Sequence, residues 1–256
     1  MSGPALRVVA HVHSTWSYDG EWKLADLSRA FARRGYDAVL MCEHDRTFDE
    51  PRWREFREAC AEASDCGATL VPGIEYSDAE NLVHVPVWGA EAFLGRDRPT
   101  GELLAAARAA GAVAVIAHPS RRDAWRTLKA EWLELAHGVE VWNRKCDGWA
   151  PSPEGLALAA RREDLWPFAG LDFHSARQFF PLAMTAPAPA GSGRLCSSAE
   201  SVLAVLREGR LAPSAFGRPA AVFSQGRGLA ATRVSEHVRR PLARAVRRAR
   251  RVAARR

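Results

Sequence analysis

No stretch of this 256-residue chain approaches the ~20 consecutive apolar residues that a membrane-spanning helix needs, so the sequence does not read as a membrane-spanning protein. The opening residues, MSGPALRVVAHVH, lack the long apolar core of a secretory signal, and the expectation is a cytoplasmic protein. Cysteine is sparse: Cys42, Cys60, Cys66, Cys146 and Cys196 are odd in number and show no CxxC spacing. They read as free, mostly structural thiols of a reducing compartment. Internal repeats are absent, and the one low-complexity piece before the C-terminal tail is TAPAPAGSG. SQGRGLAA offers Gly226, Gly228 and Ala231 in GxGxxA spacing, but no acid follows about twenty residues on and no strand remains to complete a βαβ unit, so a dinucleotide site is rejected.

Basic charge is also missing from most of the chain. The net charge of +6 resides in residues 233–256, which hold ten arginines and one acid, Glu236. The remaining residues carry 26 basic and 29 acidic side chains, a mildly acidic body. In the tail, Val238, Leu242, Ala245, Ala249 and Val252 recur at helical spacing among the arginines, with Pro241 as a kink or a start. Such a basic amphipathic segment suits nucleic-acid phosphates or an anionic surface, and a solubilising tail is the alternative.

What the chain does contain is an alternation of strand-like and helix-like pieces. With 47% apolar residues it can bury a sizeable core as one large domain or two small ones. Helical spacing is expected over LADLSRAFARRGY with Gly35 as a stop, over 51–64, over 100–110 with Gly111 as a stop, over 128–136 and over 154–162. Between these lie apolar runs, seven strand candidates through His174. Their polar residues collect at one end. Alternation of this kind predicts a parallel sheet with crossover helices, and site residues on nearly every strand favour a closed barrel over an open sheet.

The first such end is VVAHVHSTWSYDG, where His11 and His13 share a face of an extended backbone. Later ends bring Glu43 and His44, Glu75, His84, His118, Glu140, then Asp172 and His174. Six of the eight histidines therefore fall at strand ends, together with Glu75, Asp172 and Asp19. Buried polar groups are costly without a partner, so a set of this size calls for something that satisfies it. Mixed imidazole and carboxylate ligands suit Zn²⁺, Mn²⁺ or Fe²⁺, and nine are too many for one ion.

In this order, HxH, an acid eight residues past its first histidine, EH, GIE, an isolated histidine, AHP and DFH resemble the PHP family, named for polymerase and histidinol phosphatase. The resemblance covers roughly residues 6–214 and includes SAESVLAVLREGRLAPSA, similar to the closing helix and strand of that fold. It implies a distorted (β/α)7 TIM-like barrel, taken as the domain of residues 1–217, and the charge pattern adds a basic, partly helical or disordered C-terminal tail over 218–256. The resemblance further implies two to three divalent metal ions. His11, His13, Glu75 and Asp172 would hold one. Glu75, His84 and His118 would hold a second, with Glu75 bridging, and Asp19, His44 and His174 a third. Glu43 stands where many relatives have aspartate, a change that bears on hydrogen bonding behind the ligands.

The activity so implied is a metal-dependent phosphoesterase acting on a nucleotide or a small phosphorylated metabolite. Two close ions activate water and clamp a phosphoryl group. Arg121, Arg122, Arg144, Lys145 and Arg177 lie on loops at the expected active face, and Arg121 and Arg177 are the candidate phosphate contacts, since a guanidinium fork matches phosphate. His174 completes the candidate catalytic set, with the general acid left open. Trp142 and Trp149 read as packing between barrel and loop, with an aromatic wall over the site as the alternative. The other activities in view are a PHP-type nuclease whose tail holds RNA or DNA, and a non-catalytic PHP module.

Overall fold

The computed structural model describes residues 5–187, 198–225 and 230. Strand β1 (Ala5–Val12) leads to α1 (Leu24–Ala32), β2 (Ala38–Met41), β3 (Glu43–His44), α2 (Glu50–Ser64), β4 (Thr69–Val71), β5 (Gly73–Ser77) and β6 (His84–Trp88). Next come α3 (Thr100–Ala109), β7 (Val113–Ile116), α4 (Ala130–Leu135), β8 (Gly138–Asn143), α5 (Arg144–Asp147), α6 (Pro153–Ala159) and β9 (Trp166–Gly170). Strand β10 (Leu182–Pro187), α7 (Ala199–Arg207), β11 (Ala212–Ala215) and β12 (Arg218–Pro219) finish the described chain.

The helices form where the sequence supplies both a cap and an apolar face. Asp49 accepts the Arg52 N–H at the start of α2, Pro51 sits in its first turn, and Trp53, Phe56, Cys60 and Ala63 are its buried side. Ser152 accepts the Gly155 N–H at the start of α6, and Ser198 and Ser201 form a capping box on α7. The chain stops α1 and α3 at Gly35 and Gly111, both in the left-handed region at φ 75° and 65°.

The strands form two six-stranded sheets, ordered β12-β11-β10-β1-β2-β4 and β3-β5-β6-β7-β8-β9. The expected closed (β/α)7 barrel is thus corrected in two respects. It is not uniformly parallel: β6 runs antiparallel to both β5 and β7, and β10, β11 and β12 are antiparallel additions. Nor does a continuous ladder close it among the described residues. The chain passes from the first sheet to the second at single residues, Cys42 between β2 and β3, and Pro72 between β4 and β5. Proline has no N–H to continue a ladder.

Strand β1 nevertheless ties the two sheets together at the end that carries the site. The Leu171 and Phe173 N–H groups donate to the Ala10 and His11 carbonyls at 2.9 and 3.0 Å, and the His13 N–H returns to the Phe173 carbonyl at 2.8 Å. On its other side the Cys42 N–H donates to the Val12 carbonyl at 2.8 Å. Beneath these ends lies a continuous core containing Phe31, Trp88, Trp142, Phe168 and Phe173, all fully buried.

Several expectations fall near or beyond the edge of the described chain. TAPAPAGSG contributes Thr185, Ala186 and Pro187 to β10, an unexpected strand. Arg218–Pro219 pairs with β11, and the Phe223 ring lies 5.6 Å from that of Trp142. The expected arginine-rich helix of residues 233–256 and the GxGxxA segment's Gly226, Gly228 and Ala231 lie outside the described residues. Among the described residues no helix is long and apolar enough to cross a membrane.

Candidate metal centre

Each expected ligand reaches the same end of the sheets by its own local device. His11 is the extra residue of a bulge in β1, where Ala10 pairs with Leu40 but Val12 already pairs with Met41. Its φ is 60°, and His118 and Asp172 are likewise in the left-handed region at 28° and 51°. His13 follows β1, His44 ends β3, and Glu75 lies in the middle of β5. His84 is the first residue of β6, which suits a strand running opposite to its neighbours: its start lies where the other strands end. His118 is two residues beyond β7, and Asp172 and His174 are two and four beyond β9. Asp19 lies on the loop between β1 and α1.

Glu75 is the hub. Its Oε1 lies 2.9 Å from His84 Nδ1, 3.0 Å from His118 Nε2 and 3.2 Å from His11 Nε2. Its Oε2 lies 3.1 Å from His44 Nδ1 and 3.6 Å from His13 Nε2. Five of the six clustered histidines thus surround one buried carboxylate. Asp172 Oδ1 lies 3.3 Å from His174 Nδ1 and 3.7 Å from His13 Nε2. Asp19 spans the outer side, 3.4 Å from His44 Nε2 and 3.1 Å from His174 Nε2. Three subsets bring their donor atoms within 4.8 Å of one another: His11, His13 and Asp172; His11, Glu75 and His118; and His13, His44 and His174.

The electrostatics follow from crowding without solvent. Burial alone would raise the Glu75 carboxyl, but the imidazoles of His84 and His11 hold it well below the ordinary carboxylate range. Asp172 is drawn down to about 2 by His11 and Lys145, again against burial. Burial opposes charge on His44 too, yet Asp19 and Glu75 push its imidazole up to about 9. His13, by contrast, is held well below its ordinary value by burial and by the neighbouring His174 and His44.

Behind the ligands stand two carboxylates. Glu140 Oε1 accepts from His11 Nδ1 at 2.8 Å, and Oε2 accepts the His118 N–H and Asn143 Nδ2, each at 2.8 Å. Against burial, Glu140 and Glu75 raise the His11 imidazole well above its ordinary value; when a metal displaces the Nε2 proton, Glu140 keeps the other on Nδ1 and the Nε2 lone pair faces the cluster centre. That nitrogen and His13 Nε2 are buried without a hydrogen-bond partner, the 3.2 Å approach of His11 Nε2 to Glu75 being misaligned for one. Glu43, expected to act behind the ligands, accepts from the Ser14 N–H and from both serine hydroxyls, Ser14 Oγ at 2.6 Å and Ser17 Oγ at 2.5 Å. Ser17 Oγ also receives the His44 N–H. Glu43 therefore fixes the loop that leaves His13.

These features fit a divalent-metal site. Imidazole nitrogens and carboxylate oxygens converge, His11 Nε2, His13 Nε2 and His118 Nδ1 lack hydrogen-bond partners, and His11 is oriented by a carboxylate behind it.

The candidate cations separate. Arg121 Nη1 donates to the Asn81 carbonyl at 3.0 Å and lies 3.4 Å from His84 Nε2, at the rim of the cluster. Arg122 reaches the same carbonyl from the surface. Arg177 is exposed in the turn Ala176–Gln178, and among the described residues no hydrogen bond or ion pair joins it to the cluster. Arg144 packs over the Phe180 ring. Lys145, which the sequence offered only as one basic residue among several, meets the cluster from its open side: its side chain is 44% exposed and its Nζ lies 2.9 Å from Asp172 Oδ1. Glu140 and Asn143 were not singled out as site residues. Their signal was an acid and an amide within the otherwise apolar strand GVEVWN. Trp142 is fully buried, donates to the Gly148 carbonyl and packs on Phe180 and Phe223, which is the packing role expected of it. Tyr18, 64% exposed, stacks on His44 at the mouth of the cluster.

No protein-family model matches the chain, and neither does any curated protein sequence. Solved structures do match. One is a two-domain protein from Bacteroides vulgatus containing a predicted PHP-like metal-dependent phosphoesterase, at 20% identity over 82% of this chain, with a TM-score of 0.59. This chain covers 65% of that protein. A second, from Bifidobacterium adolescentis and assigned as a metal-dependent phosphoesterase, matches at 21% identity over 80% of this chain and 97% of its own, with a TM-score of 0.50. A third is an amidohydrolase from Chromobacterium violaceum that holds sulfate, at 18% identity over 80% of this chain and 96% of its own, with a TM-score of 0.52. At these identities the likeness is one of fold, and the fold this chain shares is that of structures containing PHP-like metal-dependent phosphoesterases.

Proposed function

We propose that this protein is a metal-dependent phosphoesterase that hydrolyses the phosphate ester of a nucleotide or a small phosphorylated metabolite. The observation that carries the reading is the pair of buried, unpartnered nitrogens, His11 Nε2 and His13 Nε2, facing Glu75 and Asp172 with Glu140 fixing the His11 proton behind. The names of two of the fold relatives point the same way, and the third, an amidohydrolase, holds sulfate, a tetrahedral oxyanion like phosphate. By the ligand sets the resemblance implies, Glu75 would be shared between two positions, with His11, His13 and Asp172 on one side and His84 and His118 on the other.

Divalent ions held there by these residues would supply Lewis acidity to a phosphoryl group and lower the pKa of a water molecule towards neutrality. The protein's own groups do the rest. Glu140 keeps the proton on His11 Nδ1, so the opposite nitrogen stays a ligand. Glu43 holds the Ser14–Ser17 turn, which sets the approach of His13. Arg121, 3.4 Å from His84 Nε2, is the better placed of the two candidate phosphate contacts. The apolar strands beneath exclude water from the floor of the site.

The test is elemental analysis of protein purified without chelators or metal-binding tags, joined to a phosphoester panel with added Mn²⁺ or Zn²⁺. Bound metal and turnover of nucleotide or sugar phosphates are expected, both lost in the double variant His11→Ala, His13→Ala. Turnover that survives in a folded double variant would sink the metal mechanism.

A further inference from the structure

Lys145 occupies a place where a metal site ordinarily tolerates no fixed positive charge. Its Nζ lies 2.9 Å from Asp172 Oδ1 and 3.5 Å from both ring nitrogens of His174. His174 Nε2 is the atom that faces Asp19, so it is also the atom that would enter the outermost ligand set, Asp19 with His44 and His174. An ion taken by that nitrogen would share its immediate surroundings with the ammonium. The Lys145 side chain is 44% exposed and solvent damps the repulsion in part, but at a separation of a few ångströms it still opposes an ion there.

The outer set is also the least able to absorb that repulsion. Its sole carboxylate, Asp19, has a side chain 37% exposed, whereas the Glu75 side chain is 1% exposed and is shared by the inner positions. Asp172, which could otherwise lend charge outward, is already neutralised by Lys145.

The lysine is also placed by the same network that orients the ligands. Asn143 caps α5, its Oδ1 accepting the Lys145 N–H at 3.1 Å and the Cys146 N–H at 3.0 Å. The same Asn143 donates from Nδ2 to Glu140, the carboxylate that holds His11 and His118. One hydrogen-bonded chain therefore aims the inner histidines and presents the ammonium.

We propose that Lys145 is a tethered cation standing in for a third metal ion, so that this chain fills its two Glu75-centred positions and leaves the Asp19–His44–His174 position weak. The proposal rests on reading the cluster as a metal centre, and its test separates the two claims. The full chain, stripped with chelator and dialysed, is titrated with Mn²⁺ while the free ion is counted by electron paramagnetic resonance. Wild type should take up two ions. Lys145→Met, which keeps the length and removes the charge, should take up three, with the third bound at least tenfold more tightly than any third ion on wild type. Lys145→Arg should return the count to two. Equal numbers and affinities in wild type and Lys145→Met would overturn the role of Lys145 while leaving the metal centre standing. A wild-type chain that takes up no ion would overturn both.

Discussion

Glu140→Gln changes one atom and one charge in a residue that is 1% exposed, and the structure dictates which way the new amide must turn. Glutamine has one acceptor oxygen where glutamate has two. If its NH₂ replaced Oε2, it would face two donors, the His118 N–H and Asn143 Nδ2, both now at 2.8 Å. Two buried hydrogen bonds would be lost, at roughly 1–3 kcal/mol each. If the NH₂ replaces Oε1, it faces a single imidazole nitrogen, His11 Nδ1, which can exchange its role by changing tautomer. The second arrangement wins. All three bonds then survive, so the melting temperature should move little. The proton of His11, however, shifts from Nδ1 to Nε2, and the lone pair that faced the cluster is gone. Loss of such an orienting partner typically costs ~10–100-fold in metal affinity, or about 1.4–2.7 kcal/mol. Competition against a chromophoric chelator measures the affinity, and a melting curve shows that the variant is folded. Wild-type affinity in folded Glu140→Gln would refute the claim that Glu140 sets the tautomer. Glu140→Ala is the contrasting case, since it strands two buried donors and should cost roughly 2–5 kcal/mol of stability.

The metal-free protein should lose stability as pH rises. His44, pushed up to about 9 against burial by Asp19 and Glu75, contributes stability complete below its ordinary 6.5 and lost as pH rises through about 9. Asp147, pushed up by burial to about 7, adds a penalty of the same sign that accrues as pH rises from its ordinary 3.8 and is complete by about 7. Melting temperatures of chelator-treated protein should therefore fall between about pH 6.5 and 9, and a rise across that window would contradict the assignment. Apparent Mn²⁺ affinity should climb with pH, because an ion in the Glu75-centred positions displaces the proton that Glu140 and Glu75 hold on His11 against burial. A Cβ at Gly170 would stand 2.1 Å from Glu140 Oε1 and 2.7 Å from His11 Cβ. Gly170→Ala should thus part that pair, lower stability by about 1–3 kcal/mol in urea unfolding and weaken metal binding; an unchanged variant would show that the close packing there is dispensable.

The residues of the cluster were legible because burial makes titratable residues conspicuous. A histidine or acid closing an apolar run has few structural reasons to be there, and all nine expected ligands converge in space. Strand direction was not legible. NLVHVPVWG has the apolar content of any buried strand, and nothing in its periodicity says that β6 runs backwards, so that His84 serves the site from the strand's first residue. Nor could alternation foresee the bulge at His11, although the ring still meets His13 at 5.2 Å between centroids. The cations failed for another reason. Arg177 and Lys145 both follow strand ends, and what separates them is the Asn143 cap, a contact set by tertiary position. Strand β10 was hidden because it forms by antiparallel pairing with β1, across more than 170 residues of chain.

Three expected ligands, His11, His118 and Asp172, hold φ angles of 60°, 28° and 51°, a region costing an L-residue about 1–3 kcal/mol. Each is held there by bonds that a relaxed backbone would forfeit. The Phe173 N–H grips the His11 carbonyl, Glu140 takes the His118 N–H, and Gln178 Nε2 donates to the Asp172 carbonyl at 2.7 Å. At these three residues the strain falls where apolar strands give way to the cluster, while Asn81, Asp97, Arg122, Asp123 and Phe216 take positive φ elsewhere in the chain. Core burial therefore does more than stabilise the chain: it holds imidazoles and carboxylates together before any ion arrives, against both their mutual repulsion and their local backbone preference. A site assembled on loops alone would relax apart when metal-free. Here the ligands stay gathered because moving them would unpick β1 from the segment after β9, the hydrogen-bonded seam between the two sheets.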